Sequence, residues 1–65
     1  MTNPEQILKN LEGSAITLDS NIAYHGSALK VEFTAVRGKM FNYYKWYGHW
    51  LECSKEEAIQ TLQDY

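Results

Sequence analysis

The sequence predicts an α+β fold in which a helix, three or four antiparallel strands and a second helix follow one another. Helix-start signals stand near both ends of the chain, and its centre alternates between apolar and polar residues as strands do. Antiparallel sheets commonly have one packed face and one solvated face, so both helices are predicted to cover the same face. A length of 65 residues indicates one domain, spanning residues 1–65.

The first helix is predicted to begin after Asn3, whose side chain can cap it, with Pro4 in the first turn, where a missing N–H costs nothing. Its apolar stripe consists of Ile7, Leu8 and Leu11. Gly13 is predicted to end the helix, because glycine readily adopts the left-handed conformation found at helix C-termini. Residues 15–20 (AITLDS) then read as a strand.

The next segment combines turn residues with a short strand. Asp19-Ser20-Asn21 has turn chemistry, residues 22–24 favour a strand, and residues 25–27 (His-Gly-Ser) interrupt it.

The central hairpin depends on the length of its turn. Four apolar residues alternate along one face of its first strand: Leu29, Val31, Phe33 and Ala35. A two-residue turn at Arg37-Gly38 would place them opposite Trp46, Tyr44, Asn42 and Met40 respectively, which makes Trp46 the best-buried tryptophan. A bulge at Gly38 would slip the register by one residue and exchange the faces. We favour the two-residue turn because it gathers aliphatic residues opposite rings.

The last third of the sequence predicts a further hairpin and the second helix. A turn at Gly48-His49 would bring Leu51 and Cys53 to the core face and Trp50 to the other face, beside Tyr47. Ser54 and Glu57 have the spacing of a capping box. The apolar stripe of this helix is Ala58, Ile59, Leu62 and Tyr65.

Composition excludes several classes of protein. The chain is 45% hydrophobic and 22% charged, which is typical of a globular domain rather than a disordered one. One cysteine allows no intrachain disulfide, and no apolar run approaches the ~18 residues of a membrane span. We expect a cytoplasmic protein, because the N-terminus lacks a signal-peptide pattern and a lone thiol suits a reducing compartment.

The sequence contains no convincing catalytic, metal or cofactor motif. Cys53 with His25 or His49 has the composition of a nucleophile and its base, but the predicted hairpin places His49 at a tip and Cys53 in the core. The four glycines are isolated, so no phosphate-binding loop is present. We therefore predict a non-enzymatic protein with a buried structural thiol, no metal and no cofactor.

Aromatic residues are concentrated in one stretch: six of the nine lie within residues 41–50. Under the two-residue turn, the face away from the helices carries Phe41, Tyr43, Tyr47, Trp50, Lys30 and Lys45, which we take as the candidate binding residues. Tyrosine and tryptophan are preferred anchors of protein interfaces. The same rings could instead cover one another as cross-strand pairs that only stabilise the sheet.

These residues predict a small binding module that docks a protein partner, or a second copy of itself, through an aromatic sheet face. Its size and acidity, with a net charge of −2, fit a regulatory or inhibitory protein of the kind that phages and mobile elements encode. The alternative is a protein that binds single-stranded nucleic acid, because rings stack on bases while Lys30, Lys45 and the nearby Arg37 and Lys39 follow phosphates. No membrane contact is expected.

Overall fold

Two helices cover one face of a four-stranded antiparallel sheet. The computed structural model describes residues 3–35, 38 and 40–64. Helix α1 spans Pro4–Thr17, and the strands β1 (Ile22–His25), β2 (Leu29–Thr34), β3 (Met40–Trp46) and β4 (Trp50–Cys53) precede helix α2 (Lys55–Asp64). The strands are ordered β1-β2-β3-β4, with α1 against β1 and β2 and α2 against β2 and β3. The predicted fold class is confirmed.

Both predicted helix starts are confirmed. Oδ1 of Asn3 accepts a hydrogen bond from the backbone N–H of Glu5 at 2.8 Å, and Pro4 occupies the first turn. At α2, Oγ of Ser54 accepts the backbone N–H of Glu57 at 3.2 Å. Each cap satisfies a backbone donor that has no partner within its helix.

The predicted end of the first helix is wrong. Helix α1 continues through Gly13 to Thr17, so residues 15–17 are helical and the strand predicted over 15–20 is absent. The buried face of α1 explains the extension, since it consists of Leu8, Leu11 and Ala15. Burying this continuous stripe outweighs the ~1 kcal/mol that a glycine costs inside a helix.

The predicted turn is confirmed, and the short strand that follows extends one residue further than predicted, through His25. Asn21, with a φ of 60°, closes the turn by donating its N–H to the carbonyl of Leu18 at 3.0 Å. Strand β1 then runs antiparallel to β2, and Gly26, with a φ of 58°, lies in the connection between them.

The register of the central hairpin differs by one residue from the favoured prediction. The observed pairs join Leu29 to Lys45, Val31 to Tyr43 and Phe33 to Phe41. The last pair among the described residues joins Thr34 to Met40, whereas the two-residue turn would pair Ala35 with Met40. Gly38 has a φ of 105°, a conformation that favours glycine, while Val36, Arg37 and Lys39 lie outside the described residues. This shift of one residue turns each side chain of β3 to the opposite face of the sheet, as the bulge alternative predicted.

The second hairpin is also longer than predicted. Trp46 pairs with Trp50, which leaves a three-residue loop of Tyr47, Gly48 and His49. Gly48 has a φ of 80°, and the N–H of Tyr47 donates to the carbonyl of His49 at 2.9 Å. Trp50 therefore lies beside Trp46, not beside Tyr47.

The core lies between the sheet and the helices. Its buried residues are Leu8, Leu11, Ala15, Ala23, Leu29, Val31, Tyr43, Ala58 and Leu62. Trp46 is 48% exposed, so the prediction that it is the best-buried tryptophan is wrong, and Tyr43 lies in the core instead. Ala35 is exposed, and Tyr65 lies outside the described residues.

Candidate functional site

The structure separates the six predicted binding residues. Phe41, Tyr43 and Lys45 lie on the sheet face that the helices cover, Lys30 and Trp50 lie on the opposite face, and Tyr47 lies in the β3–β4 loop. Tyr43 is only 8% exposed. The prediction that these residues form one exposed patch is therefore wrong, because the register slip turned β3 over.

The sheet face away from the helices, here called the open face, carries a different set of rings. Strand pairing places Tyr24, Lys30, Tyr44 and Glu52 in one row across the four strands, and Trp46 with Trp50 in the next row. We call Tyr24, Tyr44, Trp46 and Trp50 the aromatic cluster. Every strand but β2 contributes at least one ring to it.

Three rings of the cluster touch across the sheet. The centroids of Trp46 and Trp50 are 5.1 Å apart in an edge-to-face arrangement, and those of Tyr24 and Trp50 are 5.8 Å apart. Such distances and tilts are those that aromatic quadrupoles favour. Because Tyr24 and Trp50 belong to the two edge strands, their contact makes the cluster continuous from one edge to the other.

Lys30 lies in the middle of the cluster rather than on its rim. Its Nζ atom is 4.5 Å from the ring centroid of Tyr44 and 5.5 Å from that of Trp50. Both distances are within the range of cation–π attraction. The half-buried Lys30 is the one cation that the described part of the open face carries, and its charge already interacts with two rings.

Two carboxylates flank Tyr44. Its hydroxyl donates a hydrogen bond to Oε1 of Glu32 at 3.2 Å, and Glu52 is its partner on β4. Burial raises the pKa of Tyr44, and the hydrogen bond to Glu32 and the negative charges of Glu32 and Glu52 raise it further. Among the described residues, the open face thus has two carboxylates and one ammonium.

Exposure makes the aromatic cluster a candidate contact surface. Tyr24 is 55% exposed and Trp46 is 48% exposed, whereas Trp50 and Tyr44 are half-buried. Solvent-facing apolar patches on small domains commonly mark contact surfaces. The sequence analysis did not assign Tyr24, Tyr44 and Trp46 to the binding surface. The alternative register, with a bulge at Gly38, would have placed Tyr44 and Trp46 on the face away from the helices.

The covered face contains a polar contact that joins sheet and helix. The hydroxyl of Tyr43 donates a hydrogen bond to the Glu12 carboxylate on α1. Burial raises the pKa of Tyr43, and the hydrogen bond and charge of Glu12 add to this effect. The contact ties β3 to α1 and depends on the observed register.

Cys53 also lies on the covered face, paired with Tyr43 and packed against the core. It is half-buried rather than buried as predicted. Burial raises the pKa of its thiol, with the charge of Glu57 contributing, which lowers the fraction of reactive thiolate.

A groove of about 440 Å³ lies between the helices, with a mixed lining of Asn3, Glu5, Gln6, Leu8, Lys9, Glu12, Lys55 and Ile59. Within residues 3–35, 38 and 40–64, no three histidine, cysteine or carboxylate side chains are grouped so that they could hold a metal ion. Neither helix, over the residues described, has the length and hydropathy needed to cross a bilayer.

Comparisons with protein-family models, curated proteins and solved structures found no match. The function is therefore inferred from the geometry and charge of the open face.

Proposed function

We propose that this chain is a non-enzymatic binding module whose open face docks a partner protein. The observation that carries the proposal is the aromatic cluster, which extends from one sheet edge to the other while Tyr24 and Trp46 stay about half exposed. Tyrosine and tryptophan are the residues that most often anchor protein interfaces.

The core supports this assignment because it does not use the cluster. The buried residues lie between the sheet and the helices, and the Phe33–Phe41 ring pair, at 5.3 Å, packs against them on the same side. Cross-strand stabilisation accounts for the Trp46–Trp50 pair. Pairing between neighbouring strands does not explain the contact of Tyr24 with Trp50, because these residues lie on the two edge strands. A preformed ring surface of this kind suits an interface better than a merely stabilising role.

The charges favour a different protein over a second copy as the occupant. The open face carries Glu32 and Glu52, and its cation, Lys30, interacts with the rings. Two copies that met through this face would bring carboxylates together, and each copy has a net charge of −2. Covering part of a partner's surface would be a regulatory or inhibitory role, and the lone thiol suits the cytoplasm.

The same charges argue against single-stranded nucleic acid. Affinity for a nucleic-acid backbone comes from several lysine or arginine contacts to phosphate. Lys45 lies on the covered face, where its Nζ is 5.5 Å from the ring of Tyr47. Arg37 and Lys39 lie outside the described residues, and Glu32 and Glu52 would repel phosphate.

The test is affinity capture from native lysate with three immobilised proteins: wild type, Trp46→Ala, and Ile16→Ser as a control. Ile16 is 44% exposed on α1, close to the 48% of Trp46, but it is remote from the open face. We expect one partner to bind wild type and Ile16→Ser and to lose about 30-fold or more in affinity for Trp46→Ala. Far-ultraviolet circular dichroism establishes that both variants are folded.

Equal binding of the partner by Trp46→Ala and wild type would refute the proposal. Sedimentation equilibrium over a concentration series would detect self-association through Trp46. A gel-shift series with single-stranded DNA and RNA would detect the nucleic-acid alternative by its steep loss of affinity with salt.

A further inference from the structure

The aromatic cluster already accepts a cation from its own chain. The ammonium of Lys30 lies over Tyr44 and faces Trp50, at the distances at which ring faces attract positive charge. The ring of Trp46 has no such cation among residues 3–35, 38 and 40–64, and about half of Trp46 is exposed. Trp46 therefore offers an aromatic surface of the same kind that remains open to a partner.

An exposed glutamate occupies a neighbouring position on the same face. Glu52 is the diagonal cross-strand neighbour of Trp46, because Trp46 pairs with Trp50 two residues earlier on β4. Diagonal neighbours on one face are roughly 7–8 Å apart. Glu32 accepts the hydroxyl of Tyr44, whereas Glu52 is exposed and accepts no hydrogen bond from any described residue.

A ring face next to an unused carboxylate fits the guanidinium of arginine. A guanidinium is planar and weakly hydrated, so it can stack on tryptophan while its edge donates hydrogen bonds to a carboxylate. Lysine is more strongly hydrated and cannot make both contacts through a planar group. Glu32 and Glu52 would repel an acidic segment, and the ammonium of the nearby Lys30 already interacts with two rings of its own chain.

We propose that the open face recognises an arginine of its partner, stacked on Trp46 and paired with Glu52. This inference rests on the proposed function, because it assumes that the open face docks a polypeptide. It adds the chemistry of the partner: a segment with arginine at the centre of its contact surface.

The test is selection of a random peptide library displayed on phage against the wild-type protein. Peptides that also bind Trp46→Ala are removed by counter-selection. We expect arginine to be enriched among the Trp46-dependent peptides. Replacing that arginine by lysine in a synthetic peptide should weaken binding about threefold to tenfold.

Glu52→Gln supplies a second variant that should not disturb the fold, because Glu52 is exposed on an edge strand. We expect Glu52→Gln to bind the arginine-containing peptide about threefold to tenfold more weakly than wild type does. Glu56→Gln, which removes an equal charge from α2, should leave affinity unchanged.

The outcomes separate the two proposals. Trp46-dependent peptides without arginine enrichment, or with affinity that Glu52→Gln does not change, overturn the arginine assignment and leave the docking face intact. If no selected peptide depends on Trp46, both proposals fail.

Discussion

Removing the hydroxyl of Tyr43 tests the register on which the open face depends. In the structure, this hydroxyl donates to the Glu12 carboxylate on α1, and Tyr43 is 8% exposed. Under the two-residue turn, Tyr43 would point away from the helices and its hydroxyl would be in water. Tyr43→Phe should therefore destabilise the protein only if the observed register is correct.

The expected loss follows from the surroundings of this contact. A hydrogen bond to a charged group contributes about 1.5–3 kcal/mol to stability. Glu12 is half-buried, so water can solvate part of its carboxylate once the hydroxyl is gone. We expect Tyr43→Phe to lower the free energy of unfolding by about 1–2 kcal/mol. For a domain of this size, that corresponds to a fall in Tm of roughly 5–15 °C.

Urea denaturation of wild type, Tyr43→Phe, Glu12→Gln and the double variant measures the contact directly. The double-mutant cycle should give a coupling energy of about 0.5–2 kcal/mol between the two side chains. Tyr44→Phe is the matched control, because the Tyr44 hydroxyl donates to Glu32 on the open face. It should cost less than Tyr43→Phe, because Tyr44 is half-buried whereas Tyr43 is buried. A larger cost for Tyr44→Phe than for Tyr43→Phe would show that β3 faces the other way.

Alkaline pH offers a second assay of the same hydroxyl. The pKa of Tyr43 is raised in the folded state, so folding favours the neutral phenol. Its contribution is complete below the tyrosine pKa of the unfolded chain, near 10, and declines as the pH rises from there towards the folded-state pKa. The raised pKa values of Tyr44 and Cys53 act in the same direction, as does that of Lys45, whose pKa is raised by its interaction with Tyr47. Urea midpoints at pH 8 and above pH 10 should show a smaller alkaline loss for Tyr43→Phe; an identical loss would exclude this role.

Two further substitutions and one thiol-reactivity measurement test local features. Gly13→Ala should stabilise the protein by about 0.5–1 kcal/mol, because the added Cβ meets no atom within 4 Å other than its chain neighbours and its own helix backbone. A lower Tm would contradict a continuous helix. Ser54→Ala removes the cap on the Glu57 N–H and should lower the free energy of unfolding by about 1 kcal/mol. An unchanged Tm would show that Ser54 does not cap the second helix. The Cys53 thiol should react with a disulfide reagent more slowly in the native protein than in denaturant, and equal rates would show an unprotected thiol.

Local signals in the sequence predicted the element types and their order. The Asn3 and Ser54 caps are short-range features whose partners lie within three residues, so they can be read without the fold. The alternation of β2 likewise predicted that Leu29 and Val31 face the core, and both are fully buried. The sequence also predicted an aromatic sheet face, since residues 41–50 place rings on both sides of any strand.

Tertiary packing decided which rings are exposed. An alternating strand specifies which side chains share a face, but one extra residue in the turn determines which face is buried. Rings at both odd and even positions of β3 made either choice compatible with an aromatic core. The contact of Tyr43 with Glu12 joins residues 31 positions apart, and the end of α1 beyond Gly13 likewise depends on the burial of Ala15 under the fold. A local sequence pattern shows neither the Tyr43–Glu12 contact nor the extension of α1. Both are stabilised by side chains that meet only when helix and sheet pack together.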